Sequence, residues 1–152
     1  MATTSVLFVC SDNCATSIMA ESILRASAGG ARFSAHSAGW RPGLAVPQEV
    51  LDFLADRQLP LRGLAPKSYA RFVEPEGPRL DFVILLADPP EGVAPEWNGA
   101  PVVARWGLED GGDMREAFWV LTRRLKIFTS LPHGRAPRRV MQDHVHSIAI
   151  WQ

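Results

Sequence analysis

The stretch VLFVCSDNCATSIMAES, residues 6–22, determines which fold this sequence predicts. Residues 5–9 are β-branched and aromatic, which is typical of a buried strand. The polar segment CSDNCATS follows, and residues 18–30 then carry apolar side chains at helical spacing until a Gly-Gly pair ends the helix. The stretch therefore predicts a strand, a short loop that opens with Cys10, and a helix.

The rest of the chain extends this pattern into an α/β fold. Residues 32–39 alternate as a second strand, so the strand, helix and strand form a parallel βαβ unit with a right-handed crossover. The pattern further predicts a helix, a central strand, a short strand and a long helix, over residues 46–58, 80–88, 102–106 and 114–131. We expect a three-layer sandwich of about four parallel strands flanked by helices. Residues 1–152 form one predicted domain, whose tail beyond about residue 133 shows no clear period.

Composition and charge exclude several classes of protein. The 152 residues are 47% hydrophobic and 21% charged, as in an ordinary globular domain. Sixteen basic and sixteen acidic residues cancel, so no overall field attracts nucleic acid or a membrane. The N-terminus lacks the basic segment of a signal peptide, and no apolar run is long enough to span a membrane. With only two cysteines, four residues apart, we expect a cytoplasmic protein in a reducing compartment.

The loop after the first strand is the predicted functional site. In an open parallel sheet, ligands bind beyond the carboxyl ends of the strands. The helix that follows directs unpaired N–H groups and the positive end of its dipole into the loop, which favours an oxyanion. The same field stabilises a thiolate, so Cys10 is a candidate nucleophile. Ser17 is placed to cap the helix and also to hydrogen-bond the thiolate.

This stretch resembles the phosphate-binding loop of the low-molecular-weight protein tyrosine phosphatases and of the arsenate reductases that share their fold. The shared features are a cysteine that ends a strand, Asn13, Ser17 and the sequence MAE in the helix. Other segments follow the arsenate-reductase branch in order and spacing, namely HSAGWRP, PKS, DFVILLAD, APEWNGAPVVARWGLED and AFWVLTRRLKIFTSLP. The resemblance covers most of the chain and implies the α/β fold of that family.

The resemblance also implies the roles of individual residues. Cys10 would be the nucleophile, and Asp110 in WGLEDGG would be the general acid that protonates the leaving oxygen, although it could instead cap the next helix. The implied oxyanion-binding loop consists of Ser11, Asp12, Asn13, Cys14, Ala15, Thr16 and Ser17. The implied ligand is phosphate, arsenate, sulfate or a phosphotyrosine-like substrate. We expect no cofactor, and the sequence does not identify a protein partner.

Two positions depart from the family's loop. Thr16 stands where the family has an arginine that clamps the oxyanion, and Asp12 stands where it has a glycine. Loss of the guanidinium removes about 1.5–3 kcal/mol per hydrogen bond to a charged group. An ionised Asp12 would repel a bound dianion by about 1–4 kcal/mol. We therefore expect weakened chemistry, and the alternative is a catalytically inactive module that binds an oxyanion or a partner.

Cys14 suggests a further alternative, a redox module. The arsenate-reductase branch relays electrons through cysteines in the loop after the central strand, but residues 85–95 contain none. Cys14 is then the candidate resolving thiol, and Cys10 with Cys14 would form the redox pair.

Two features near the C-terminus, a histidine pair and a basic cluster, each have a functional and a purely structural interpretation. His144 and His146 resemble an alternating pair of metal ligands, but no third ligand is near in the sequence, so we predict no metal site. Arg135, Arg138 and Arg139 form a basic cluster that is normally a solvated tail. One of these arginines could instead fold over the loop and replace the missing cation.

Overall fold

The computed structural model describes residues 3–27, 32–108 and 112–149. Its strands are β1 (Thr4–Cys10), β2 (Phe33–Gly39), β3 (Phe82–Leu85) and β4 (Val102–Arg105), and its α-helices are α1 (Thr16–Ala26), α2 (Gln48–Asp56), α3 (Met114–Ser130) and α4 (Arg138–Ser147). A 3-10 helix covers Tyr69–Phe72. The strands form one parallel sheet in the order β2-β1-β3-β4, which confirms the predicted α/β class and the four-stranded parallel sheet. No helix within the described ranges has the length and apolar character needed to cross a bilayer.

The sheet is buried on both faces because successive side chains of a strand point in opposite directions. Val6, Phe8 and Cys10 of β1 face the larger core, to which all four α-helices contribute. Leu7 and Val9 face a second core, which the 3-10 helix and neighbouring loops cover. Each fully buried aliphatic or aromatic side chain stabilises the fold by about 1.5–3 kcal/mol. The near-continuous apolar run of β1 therefore specifies a central strand.

The register of the sheet brings the functional loop next to β2. Cys10, the last residue of β1, lies opposite Gly39, the last residue of β2. Both strands therefore end at the same edge of the sheet, and the loops that follow them lie side by side. We call this the carboxyl edge, and the opposite edge, where the strands begin, the amino edge.

The tail folds into α4, a helix that the sequence pattern did not predict. Met141 and Val145 are buried in the larger core, and the indole N–H of Trp106 donates to the carbonyl of Val145 at 3.0 Å. His144 and His146 lie two residues apart on this helix, so their side chains point about 200° apart and do not converge on one ion.

Two arginines of the basic cluster, Arg135 and Arg138, lie far from the loop after β1. The guanidinium of Arg138 donates to the carbonyls of Ala100 and Pro101, which precede β4 at the amino edge. Arg135 lines a cavity with Thr4, again at the amino edge. The interpretation in which Arg135 or Arg138 replaces the missing cation is therefore wrong, because these contacts hold both residues at the far edge. For Arg139 it stays a prediction.

Candidate active site

Cys10 is the last residue of β1, and its sulfur lies among hydrogen-bond donors of the loop. The side chain is buried. Its Sγ is 2.8 Å from Ser17 Oγ and 3.2 Å from the main-chain nitrogen of Asn13, which donates to it. Hydrogen bonds to the charged form of an acid favour that form, so these contacts stabilise a thiolate.

A chain of hydrogen bonds determines which atom donates to the sulfur. The main-chain N–H of Lys67 can only donate, so the atom of Asn13 that it meets at 2.8 Å is the carbonyl oxygen Oδ1. The other end of the amide, Nδ2, then donates to Ser17 Oγ at 2.8 Å. Ser17 therefore accepts from Asn13 and has its own hydroxyl hydrogen to donate to Cys10. We call this series of contacts from Lys67 through Asn13 and Ser17 to Cys10 the thiolate relay.

Backbone conformation places Asn13 within this relay. Its φ is 57°, in the left-handed region that asparagine tolerates better than most residues. Asp12, which stands where the family has a glycine, is not among the described non-glycine residues with a positive φ.

The N-terminus of α1 differs from the sequence prediction in one respect. The N-cap residue is Ala15, and no side chain caps the helix there. Ser17 is the second residue of the helix, so its predicted capping role is wrong, whereas its predicted contact with Cys10 is present. The hydroxyl is engaged with Asn13 and Cys10 instead of a first-turn N–H.

Asp12 places a carboxylate directly beside the loop. Its Oδ1 accepts a hydrogen bond from the main-chain N–H of Cys14 at 3.0 Å, in a local side-chain turn. The carboxylate thus accepts from an N–H of the loop and places an acidic group there.

The segment that follows β2 supports the loop from one side. Three main-chain hydrogen bonds run from the N–H groups of Trp40, Arg41 and Gly43 to the carbonyls of Cys10, Ser11 and Asp12, at 3.0, 2.8 and 2.9 Å. Gly39 is required for this approach, because a Cβ there would lie 2.9 Å from the nitrogen of Asn13. A Cβ at Gly43 would lie 2.6 Å from the sulfur of Cys14. The loop and the segment 39–43 therefore form one packed unit.

Sequence reasoning missed a buried charged group behind the loop. The Glu21 side chain is only 3% exposed, accepts a hydrogen bond from Ser37 and pairs with Arg25, and the Lys67 ammonium lies 3.9 Å away. Burial lowers the pKa of Lys67, and the charge of Glu21 opposes that shift. Burial, followed by the charges of Lys67 and Arg25, lowers the pKa of His36. The only sequence signal for this cluster was the MAE motif, which does not reveal the distant partners.

Two cavities flank the loop. One of about 420 Å³ is lined by Ser11, Asp12, Trp40, Arg41, Asp88 and Pro90. The other, of about 390 Å³, lies on the helix side and includes Asp12, Cys14 and Thr16 in its wall. Thr16, at the position of the family's arginine, is 3% exposed and borders that second cavity.

Trp40 and Trp106, which directly follow β2 and β4, have different environments. Trp40 lines the first cavity, and its ring packs on Tyr69 and Trp97 with centroids 5.0 and 5.9 Å away. Its indole N–H donates to the carbonyl of Ala87. Trp106 lies in the larger core beside Phe8. Trp40 thus forms part of the wall of a cavity next to the loop, whereas Trp106 packs in the core.

Two other predictions about the site have different outcomes. Asp110, the candidate general acid, lies outside the described residues. The helix that Asp110 could have capped is capped by Asp113, whose carboxylate accepts from the N–H of Arg115 at 2.9 Å. Cys10 and Cys14 are both thiols, and Cys14 Sγ lies 3.5 Å from the carbonyl of Ala45. The redox pair stays a prediction.

Comparison with known proteins gives one family and several similar structures. The family profile described as low molecular weight phosphotyrosine protein phosphatase matches residues 5–99. No curated protein sequence gives a match. An arsenate reductase from Archaeoglobus fulgidus DSM 4304 is 29% identical with a TM-score of 0.65, over 83% of this chain and 99% of that one.

Two further structures share the fold at lower identity. The thioredoxin-dependent arsenate reductase of Corynebacterium glutamicum is 23% identical, with a TM-score of 0.66 over 84% of this chain and 61% of that one. The present chain thus spans less than two thirds of the Corynebacterium protein. The low molecular weight protein tyrosine phosphatase of Streptococcus pyogenes is 14% identical, with a TM-score of 0.63 over 93% and 99% of the two chains. These comparisons confirm the resemblance found in the sequence.

Proposed function

Because the chain belongs to the low molecular weight phosphotyrosine protein phosphatase family, we propose that Cys10 acts as a thiolate nucleophile on a phosphate or arsenate oxyanion. The loop of residues 10–17 binds this oxyanion, and Thr16 in place of the arginine lowers the rate. The observation that carries the proposal is the position of the sulfur, 2.8 Å from a hydroxyl and 3.2 Å from a donating main-chain nitrogen. In a reducing compartment such as the cytoplasm, both cysteines stay available as thiols.

The chemistry on a phosphomonoester takes two steps. The thiolate of Cys10 attacks phosphorus, so an S–P bond forms while the bond from phosphorus to the leaving oxygen breaks. The leaving oxygen takes a proton from a general acid, a role that we assign to Asp110 on the family resemblance alone. Water then attacks the cysteinyl phosphate, which releases inorganic phosphate and restores the thiolate. The thiolate relay stabilises the sulfur as nucleophile and as leaving group.

The same geometry supports weak activity. Removal of a single transition-state donor lowers a rate by about 100–1000-fold, and Thr16 cannot supply the two charge-assisted hydrogen bonds of an arginine. Asp12 also contacts the N–H of Cys14 and adds a repulsive charge. The dipole of α1 still favours an oxyanion at this end of the helix.

Turnover of an aryl phosphate and of arsenate, together with calorimetric titration of phosphate, tests this proposal. We expect slow turnover in the wild type, none in Cys10→Ser, and phosphate binding in both. Turnover that persists in Cys10→Ser, or a wild type that binds neither phosphate nor arsenate, contradicts it. A wild type that binds phosphate without turnover, but becomes active as Thr16→Arg, supports the inactive binding module instead.

Cys14 gives the redox alternative a specific basis. With arsenate, Cys10 would form an S–As bond with loss of water, and the thiolate of Cys14 would then attack the Cys10 sulfur. The S–S bond forms, the S–As bond breaks, and its electron pair reduces As(V) to arsenite. A dithiol reductant must afterwards reduce the disulfide. Mass spectrometry after mild peroxide tests the pair, because Cys10 found only as sulfinic or sulfonic acid, never joined to Cys14, contradicts it.

A further inference from the structure

The proposed oxyanion site has no cation within its own loop. Residues 10–17 contain one ionisable acid, Asp12, and no lysine or arginine. A phosphate or arsenate dianion would therefore meet main-chain dipoles and a repulsive carboxylate, unless another segment supplies a positive charge. The inference that follows rests on the proposed function of this loop and concerns the source of that charge.

Main-chain hydrogen bonds hold Arg41 alongside the loop. The N–H of Arg41 donates to the carbonyl of Ser11 at 2.8 Å, and its neighbour Trp40 donates to the carbonyl of Cys10 at 3.0 Å. The hydrogen bond of Gly43 to Asp12 extends the same contact by two residues. Arg41 is thus held beside the residue that follows the nucleophile, by backbone contacts that do not involve its side chain.

Arg41 is exposed and lies next to a cavity beside the loop. It borders the cavity of about 420 Å³ together with Ser11 and Asp12. Among the described residues that line this cavity, Arg41 is the basic one, whereas Asp12 and Asp88 are acidic. A planar guanidinium at this position has the geometry to donate two parallel hydrogen bonds to a tetrahedral oxyanion.

Arg41 takes part in none of the ion pairs found among the described residues. Within residues 3–27, 32–108 and 112–149 the ion pairs are Arg25 with Glu21, Lys67 with Glu21 and Arg105 with Asp88. The ammonium of Lys67 also donates to the carbonyl of Ala65. The exposed guanidinium of Arg41 makes no hydrogen bond or ion pair to any of these described residues, so it is available to a ligand.

We propose that Arg41 is the oxyanion-binding cation of this site, supplied by the segment after β2 instead of by the loop itself. Its guanidinium binds the oxyanion from the cavity side, while the N–H groups of the loop bind it from below. Because Asp12 and Asp88 line the same cavity, the bound anion also separates Arg41 from these carboxylates. Trp40, packed on Tyr69 and Trp97, provides the rigid wall beside it.

Calorimetric titration of inorganic phosphate into four variants tests the assignment. We expect Arg41→Ala to weaken phosphate binding by about 10–100-fold, and Arg41→Lys to recover part of the loss, because a lysine restores the charge but not the fork. The matched control is Arg79→Ala, which removes an exposed arginine before the amino end of β3. It should bind phosphate within about twofold of the wild type.

A rescue experiment distinguishes binding of the oxyanion by Arg41 from a role of Arg41 in holding the loop in shape. If Arg41 acts through its charge at the oxyanion, Thr16→Arg in the Arg41→Ala background restores binding, because the family's clamp then supplies the cation. If Arg41→Ala only disturbs the loop, thermal unfolding shifts without phosphate and Thr16→Arg rescues nothing, which overturns the assignment. Equal affinities of Arg41→Ala and Arg79→Ala overturn it as well, while the proposed site stands. A wild type that binds neither phosphate nor arsenate overturns both.

Discussion

The two edges of the sheet use their arginines in different ways. At the amino edge, Arg138 donates to the carbonyls of Ala100 and Pro101, and Arg32 donates to the carbonyl of Thr129 at the end of α3. At the carboxyl edge, the loop carries main-chain donors, and Arg41 lines the cavity beside it.

This difference has a simple electrostatic cause. A helix C-terminus and the segment before a strand present carbonyl oxygens, which accept hydrogen bonds from cations. A helix N-terminus that follows a strand presents N–H groups, which donate hydrogen bonds and do not accept them from a nearby cation. Arginines therefore serve stability at the amino edge, whereas at the carboxyl edge the charge of Arg41 is available for a ligand.

The largest expected effect comes from adding a cation to the loop. Thr16→Arg should raise the rate on an aryl phosphate by about 100–1000-fold, because it supplies a charge-assisted clamp to the transition state. The cavity next to Thr16 has room for the longer side chain. Steady-state kinetics measure the effect.

The control adds the same charge at the amino edge. Thr129→Arg should leave turnover unchanged, since residue 129 lies at the end of α3, far along the chain and the sheet from Cys10. Equal gains in the two variants would show that overall charge, and not the position of the cation, governs the rate.

A smaller gain is expected from removing the carboxylate beside the loop. Asp12→Gly should tighten phosphate binding by about tenfold or more, because it removes a repulsion of about 1–4 kcal/mol and releases the N–H of Cys14. Asp12→Asn keeps an acceptor for that N–H but loses the charge, so it should recover only part of the gain. Titration calorimetry that finds no change in either variant would exclude Asp12 as a source of repulsion.

At the amino edge, the expected effect is on stability. Arg138→Ala removes two hydrogen bonds to carbonyls and should lower the free energy of unfolding by about 1 kcal/mol, a value kept small because Arg138 is exposed. Phosphate affinity should not change. Urea denaturation gives the first quantity and calorimetry the second. A loss of phosphate affinity would contradict the separation of the two edges.

The smallest effect is a pH dependence at the same edge. Burial lowers the pKa of His133 below its ordinary value of 6.5, with a hydrogen bond to the carbonyl of Phe128 opposing the shift and the charge of Arg32 adding to it. The unfolded state therefore binds more protons, so the free energy of unfolding falls as the pH drops below about 6.5. His133→Gln should flatten this decrease in urea titrations between pH 7 and 5.

The difference between the wild type and His133→Gln reports the contribution of His133 alone to the pH dependence. The pKa of His36 is also lowered by burial, but His36 is present in both proteins, so its contribution cancels in the difference. An unchanged slope in His133→Gln would mean that His133 does not titrate differently on folding.

Part of the candidate site could be predicted from the sequence because it is local. Cys10, Asn13 and Ser17 lie within eight residues, and the strand-loop-helix pattern places them at one helix N-terminus. The orientation of the Asn13 amide could not be predicted, because it depends on the N–H of Lys67, 54 residues away. The approach of Arg41 to Ser11 likewise requires the pairing of β1 with β2.

The elements of the fold show the same division. Periodicity alone predicted β1, β2, α2 and α3, since each carries its apolar pattern within a short stretch. Helix α4 was missed because it is rich in polar residues, and only contact of Met141 and Val145 with the core selects its helical form.

Short-range patterns were therefore sufficient to predict the α/β class and the loop residues, and motifs along the chain indicated the family. Only contacts in the folded chain established which donor faces the sulfur, which carbonyls bind Arg138, and which arginine lies beside the loop. The physical reason is that hydrogen bonds and charges act over a few ångströms in space, while the groups that form them here lie tens of residues apart along the chain.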